Sequence, residues 1–266
     1  MRQQLADYRV FWREFRQAYH STGAVLPSGR ALSRALARFV RDGEGDVAES
    51  LRDSEMAVFA TANLRSEKLP YVAGRRILEV GPGTGAVTDH IVSAMRPNDQ
   101  LILVERNEQF VEHLRGRLVD SSMLQSAANR IRLMHSGVEV LPEDEPFDLI
   151  ISGLPLNNFS VESVEQILTK LRRLLSSGGT LSFFEYVAVR RAKALVSSVA
   201  ERARLRGIER LFGGLLRTQE IRRDLVLANV PPAWVHHVRF TAGRLERGAG
   251  SMNSGSVLPA PCSPPQ

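Results

Sequence analysis

Two carboxylates and three glycines in this chain are spaced as a nucleoside site requires. Glu79-x-Gly81-x-Gly83-x-Gly85 follows the apolar pair Ile77-Leu78 and precedes Val87, Ile91, Val92 and Met95, which recur at helical spacing. Such a short aliphatic run predicts a buried strand, about Arg75 to Val80, and the glycines predict a tight turn on which a ligand can lie against bare backbone. A second apolar run, Leu101-Ile-Leu-Val104, ends in Glu105, twenty residues beyond Gly85. A carboxylate at the tip of a second strand can accept from both hydroxyls of a ribose. Taken alone, it is also what an exposed glutamate at a strand end looks like. The turn lacks the third glycine of Gly-x-Gly-x-x-Gly and carries Pro82 where the chain bends.

With that acid and that spacing, the stretch resembles the first motif of class I S-adenosylmethionine-dependent methyltransferases, Glu/Asp-x-Gly-x-Gly-x-Gly. The resemblance implies S-adenosylmethionine as cofactor. It places Glu79, Gly81, Gly83 and Gly85 around its methionine portion, and Glu105 with Arg106 at the ribose. In that family an aspartate near the end of the third strand receives the adenine amine; here Ser136 and Gly137 stand there, so a hydroxyl or the backbone takes that contact. Ser152, closing the fourth strand, completes the cofactor set. His135 reads as a strand-end side chain satisfying a local hydrogen bond rather than as a ligand or base.

The acceptor is read from the loop after the fourth strand, because ligands of open α/β sheets lie outside the carboxyl ends of the strands. Adenine N6-methyltransferases carry Asn/Asp-x-Pro-Tyr/Phe there, an amide for the exocyclic amine and a ring to stack on the flipped base. This chain offers Gly153-Leu154-Pro155-Leu156, with Asn157, Asn158 and Phe159 displaced past the proline. Ser152 to Leu156 resembles instead the loop of bacterial phospholipid N-methyltransferases and the related ornithine-lipid enzymes. So do Gly23-Ala24-Val25-Leu26-Pro27-Ser28, which in that family closes over the cofactor, and Asn229-Val-Pro-Pro-Ala233. The resemblance spans Ser21 to Phe240 and implies direct in-line methyl transfer to the amine of a membrane aminolipid. Leu154 and Pro155 then border the headgroup. Tyr186, at the end of the fifth strand, offers its ring to the methylated ammonium by cation–π attraction. Glu185 and Tyr186 are placed to help the amine lose its proton, without a dedicated base being required. Two other readings use the same cofactor site: a ribosomal RNA adenine dimethylase, and a non-catalytic cofactor-binding peripheral membrane protein. The RNA reading lacks both the loop and a separate C-terminal helical domain.

Alternating strands and helices must position these groups, which predicts a mostly parallel sheet. Further strands are expected at Ile131–Met134, Phe147–Ser152 and Thr180–Glu185, with helices at about Glu108–Val119 and Val161–Leu175. Ser177-Gly178-Gly179 reads as the C-cap of the latter. One or two basic amphipathic helices cover Arg190–Arg223, with a break at Gly213-Gly214, and a closing hairpin pairs Leu225–Val230 with Trp234–Phe240. The fold expected is a Rossmann-like class I sandwich with seven strands in the order 3-2-1-4-5-7-6. Residues 1–70 form a helical extension, 71–247 the catalytic domain, and 248–266 a Gly/Ser/Pro-rich tail that reads as disordered. In the extension, Ser28 is the expected N-cap of a helix to Val40. Tyr8, Phe11, Trp12, Phe15 and Tyr19 make an aromatic stripe beside arginines, suited to a membrane interface or to packing on the domain.

The net charge of +6 favours an anionic partner, nucleic acid or an acidic membrane surface, and the resemblance, not the charge, implies the membrane surface before nucleic acid. The single cysteine, Cys262, excludes a disulfide framework and a cysteine metal site, and His236 and His237 alternate faces, so no metal is expected. The absence of an apolar membrane span or leader in these residues predicts a cytoplasmic, peripherally membrane-associated protein.

Overall fold

The structure is a computed structural model that describes residues 29–42, 74–187, 199–229 and 231–240. Its centre is a seven-stranded sheet in the order β3-β2-β1-β4-β5-β7-β6. The strands are β1 (Arg76–Val80), β2 (Gln100–Glu105), β3 (Ile131–His135), β4 (Phe147–Ser152), β5 (Leu175–Tyr186), β6 (Glu220–Val226) and β7 (Ala233–Arg239). Pairings from β3 across to β5 are parallel, and β7 runs antiparallel to both β5 and β6. The inner strands are aliphatic because both faces are covered, as a parallel sheet demands.

One face carries α6 (Val161–Leu174) and α7 (Val199–Gln219), whose Val164, Ile167, Leu171, Ile208 and Phe212 pack on Leu78, Ile150, Leu181 and Phe183. The other carries α1 (Arg30–Leu36), α2 (Arg38–Asp42), α3 (Ala86–Ala94) and the short α5 (Ser122–Gln125). There Leu32, Leu36, Ile91 and Leu124 meet Ile77, Leu101, Leu103 and Val235. Between β2 and β3 runs α4 (Glu108–Asp120), capped by Asn107, whose side chain accepts from Gln109 N at 3.0 Å. Of its expected inward residues, Val111 and Leu114 are buried and Phe110 and Leu118 only half-buried. At the amino end of the sheet, Arg75 grips the buried Asp99 (2.6 Å) and donates to the Val40 carbonyl (2.8 Å), tying α2 to the foot of β1. Among the described residues no helix is long and apolar enough to cross a membrane.

The strand order is the one expected, but several boundaries differ. The N-terminal helix is two pieces broken at Ala37; it begins after Gly29, which caps it without a side-chain bond, rather than at Ser28, which lies outside the described residues. Gly178 and Gly179 do not cap α6: Leu175 already has extended backbone, and Gly178 (φ 79°) absorbs a bulge in which Phe147 and Leu149 oppose Leu175 and Thr180. The expected break at Gly213-Gly214 is absent, because the buried face of α7 holds one continuous helix through both glycines. That helix stops at Gln219, and β6 starts five residues before the expected Leu225. As an edge strand β6 leaves Arg222 and Arg223 in solvent, so its pattern reads as charged helix. The aromatic stripe within residues 1–20, residues 43–70, the start of the basic segment at 188–198 and the tail from 248 lie outside the described residues.

Candidate active site

The glycine turn sits at the carboxyl end of the sheet, between the tips of β1 and β2. All three glycines have positive φ: 70° at Gly81, 57° at Gly83 and 81° at Gly85. Each meets a different constraint. A Cβ on Gly81 would stand 2.8 Å from Leu154 Cδ2, so this glycine lets the β1 and β4 loops close on each other. A Cβ on Gly85 would run into the Arg117 guanidinium, which makes that residue a packing glycine facing α4. A Cβ on Gly83 meets nothing within 4 Å, leaving bare backbone beside open space, as a ligand cradle requires.

Glu105 lies directly beside this turn and is buried. Its Oε2 accepts from Gly83 N at 3.1 Å and its Oε1 from Asn107 N at 2.8 Å. Burial pushes its carboxyl above the usual range, against the Asn107, Gly83 and Arg106 N–H groups that favour the ionised form. The carboxylate keeps acceptor capacity for a ribose hydroxyl beyond these N–H groups. Of the residues named from sequence, Gly81, Glu105, Arg106, Ser136, Gly137 and Leu154 line one cleft between the tips of β1, β2, β3 and the β4 loop. Arg106 pairs with Glu139 at 2.9 Å on its rim, and His135 Nε2 meets the Arg106 carbonyl at 3.2 Å, the local bond expected of it.

Glu79 and Ser152 support this cleft rather than line it. Glu79 is buried in β1, with Oε2 accepting from Thr88 Oγ1 at 2.7 Å and Oε1 without a hydrogen-bond partner. Burial, against the Thr88 bond, drives its pKa up to about 8. Ser152 Oγ takes the Leu154 N–H at 3.4 Å and so shapes the loop. The residues fit S-adenosylmethionine by their unmet needs. Ser136 Oγ is buried without a partner where an adenine amine is expected, and Glu105 has capacity to spare. Gly23, Ala24, Val25 and Ser28 lie outside the described residues. The chain they lead into is fixed at the rim: Gly29 N donates to Asn229 Oδ1 at 3.1 Å, at the turn where β6 ends.

The residues expected from sequence on the acceptor side lie on β4, β5 and their loops. Leu154 and Leu156 are buried and Pro155 half-buried. Asn157, displaced past the proline, is buried with Oδ1 unpartnered, while its carbonyl accepts from Arg204 of α7 at 3.0 Å. Tyr186 is half-buried, edge-on to Phe184 at 5.1 Å, and burial raises its phenol pKa, so it stays protonated at neutral pH and is no base. Glu185 projects from the opposite face and meets His236, a contact that sequence reasoning missed. His236 Nε2 lies 3.6 Å from Glu185 Oε1, and His236 Nδ1 is 2.6 Å from Glu220 Oε1. Alternation along β7 gives the two histidines their faces, but finding these partners needed β6 in its true place.

His237 faces the other way and forms a buried chain: Ser182 Oγ to Nδ1 at 2.7 Å, Nε2 to Asp224 at 3.4 Å, Asp224 to Arg38 at 2.8 Å. The order imitates a hydrolase triad. Ser182 and His237 are nevertheless sealed in the core beneath the Phe39 ring, 4.8 Å from the imidazole, so the chain ties α2 to the sheet instead. Burial lowers the His237 pKa to about 4. Among the described residues no group of side chains is placed to hold a metal ion.

A family model described as a methyltransferase domain matches residues 77–179. An ornithine lipid N-methyltransferase from Singulisphaera acidiphila is 26% identical over 119 residues, 43% of this chain and 59% of that protein. A ubiquinone/menaquinone biosynthesis C-methyltransferase from Pseudomonas fluorescens is 30% identical over 115 residues, 43% of each chain. The chain thus spans about half the length of the curated relatives it matches. Among solved structures, the CurJ carbon methyltransferase has a TM-score of 0.49 at 20% identity, covering 85% of this chain and 71% of that one. The N-methyltransferase NodS from Bradyrhizobium japonicum has 0.43 at 17%, covering 71% and 90%. The sheet order, the glycine turn beside Glu105 and the domain match agree: the chain carries a class I S-adenosylmethionine-dependent methyltransferase domain, with S-adenosylmethionine as its cofactor.

Proposed function

We propose that this chain methylates the amine nitrogen of a membrane aminolipid, as a peripheral membrane protein. The observation that carries this reading is the apolar loop Leu154-Pro155-Leu156, packed on Gly81 where a base-reading enzyme presents an amide and a stacking ring. The similarity to an ornithine lipid N-methyltransferase supports it. The C-methyltransferase relatives of comparable identity support a second reading, methylation of a ring carbon.

When bound, S-adenosylmethionine supplies a methyl group already activated by its sulfonium. The residues of this chain then have three tasks. Glu105 and the backbone of Gly81–Gly83 hold the cofactor. Leu154, Pro155 and Leu156 strip water from the acceptor, and desolvation lowers an ammonium's pKa and so releases the lone pair. Asn157 Oδ1 is the acceptor that can orient a remaining amine N–H, and the Tyr186 ring offers a cation–π contact of about 0.5–2 kcal/mol. Alignment of the lone pair is the rest of the catalysis.

The test is transfer of labelled methyl to one of three substrates: vesicles containing phosphatidylethanolamine or ornithine lipid, a hydroquinone, or unmodified ribosomal RNA. Label in the lipid amine is expected. Label in the quinol carbon replaces the first reading by the second, label in RNA alone refutes both, and label in none leaves a cofactor-binding protein without turnover.

A further inference from the structure

Phe159, displaced past the proline in sequence, is buried and lines the cofactor cleft together with Leu154, Val138 and Ser136. Its backbone leaves the short turn Leu156–Asn158, in which Asn158 N donates to the Pro155 carbonyl at 2.9 Å and Phe159 N to the Leu156 carbonyl at 3.2 Å. Those bonds are local, and α6 starts only at Val161. Arg204 of α7 ties the stretch to the helical layer. Its Nη1 donates to the carbonyls of Asn157, at 3.0 Å, and of Phe159. Its Nε and Nη2 donate to the two carboxylate oxygens of Glu201, one turn earlier, at 2.8 and 2.6 Å, which fixes the plane of the guanidinium. Gly207, one turn later, lets α7 come this close: a Cβ there would stand 2.6 Å from Val161 Cγ2 at the start of α6. Glu201, Arg204 and Gly207 all lie beyond residues 77–179, outside the matched methyltransferase domain.

We propose that Arg204 is a positioning residue for the cofactor: through the Asn157 and Phe159 carbonyls it holds the Phe159 ring as an apolar wall for the adenine of S-adenosylmethionine. Adenine is the flat, apolar-faced part of that cofactor, and an aromatic side chain suits it. The ring shares its cleft with Ser136, whose Oγ is buried without a partner where the adenine amine is expected. A guanidinium suits the strut, because one nitrogen serves two carbonyls while the other two are anchored on a carboxylate. An ammonium carries the charge but has no such fork. The inference rests on the cofactor cleft alone and holds whichever acceptor is methylated.

Calorimetry measures S-adenosylmethionine binding by the full chain in a double-mutant cycle of Arg204→Ala and Phe159→Leu, with urea denaturation recording the stability of each variant. Arg204→Ala is expected to weaken binding about tenfold, Arg204→Lys by less, and Arg204→Ala to add little in the Phe159→Leu background. If Arg204→Ala does not fold, Arg204→Lys and Glu201→Gln carry the same cycle, each expected to weaken binding only where Phe159 is kept. Unchanged affinity on substitution of Arg204 overturns the proposal. An equal loss in both backgrounds also overturns it, because a general loosening of the fold weakens binding with or without the ring.

Discussion

Replacing Glu79 by Gln should change how stability depends on pH, because its carboxyl is buried with one oxygen unpartnered and its pKa is raised from 4.5 to about 8. Between those values the folded state holds a proton that the unfolded state has released. Folding stability therefore falls as pH rises through this window, by about 1.4 kcal/mol per pH unit. Relative to Glu79→Gln, the cofactor-free wild type should lose about 3 kcal/mol by pH 7 and about 5 kcal/mol by pH 8. Gln keeps the shape and can still accept from Thr88 Oγ1. Urea denaturation of both proteins at pH 5, 6, 7 and 8 measures the difference, and subtraction cancels every other titrating group. Parallel curves across this range would mean that Glu79 is ionised in the fold, and the reasoning would fail.

His237 should act in the opposite sense. Its pKa is lowered from 6.5 to about 4, so below 6.5 the unfolded state takes a proton the fold refuses. Stability should fall as pH drops through that window by about 3 kcal/mol in all, and His237→Gln should flatten the slope in acid denaturation; an unchanged slope counts against it. Glu105→Ala should weaken S-adenosylmethionine binding roughly tenfold to a hundredfold in calorimetry, and unchanged affinity would sink the ribose assignment. Gly213→Ala and Gly214→Ala add a Cβ that meets nothing within 4 Å inside a continuous helix, so each should raise stability by about 0.5–1 kcal/mol in urea titrations.

Strands β1, β2 and β4 were legible because they are buried on both faces and read as plain aliphatic runs. The antiparallel end was less so. β6 has solvent along one edge and one neighbour, so Glu220, Ile221, Arg222 and Arg223 lack the two-residue alternation of a half-buried strand and continue the basic pattern of α7. Gly178 looked like a cap because a positive φ serves equally in a helix terminus and a strand bulge. In the site, Glu105 and the turn were visible from spacing. Nothing local reveals that Gly85 faces Arg117 rather than a ligand, that Asn157 is buried, or that Glu185 meets His236. Those depend on how separate loops and strands are brought together.

The placement of β7 sets a schedule for synthesis. It is the last described strand, yet it lies inside the sheet, with β5 on one side and β6 on the other. Until residues 233–239 leave the ribosome, the outer edge of β5 is open, and β6 has no strand to pair with. A nascent chain therefore carries two unsatisfied edges late in its translation, the state in which strands recruit wrong partners. Arrival of β7 closes both at once and buries His236 and His237 together, one on each face. A premature stop between Val226 and Ala233 thus removes one strand from the sequence and two from the sheet.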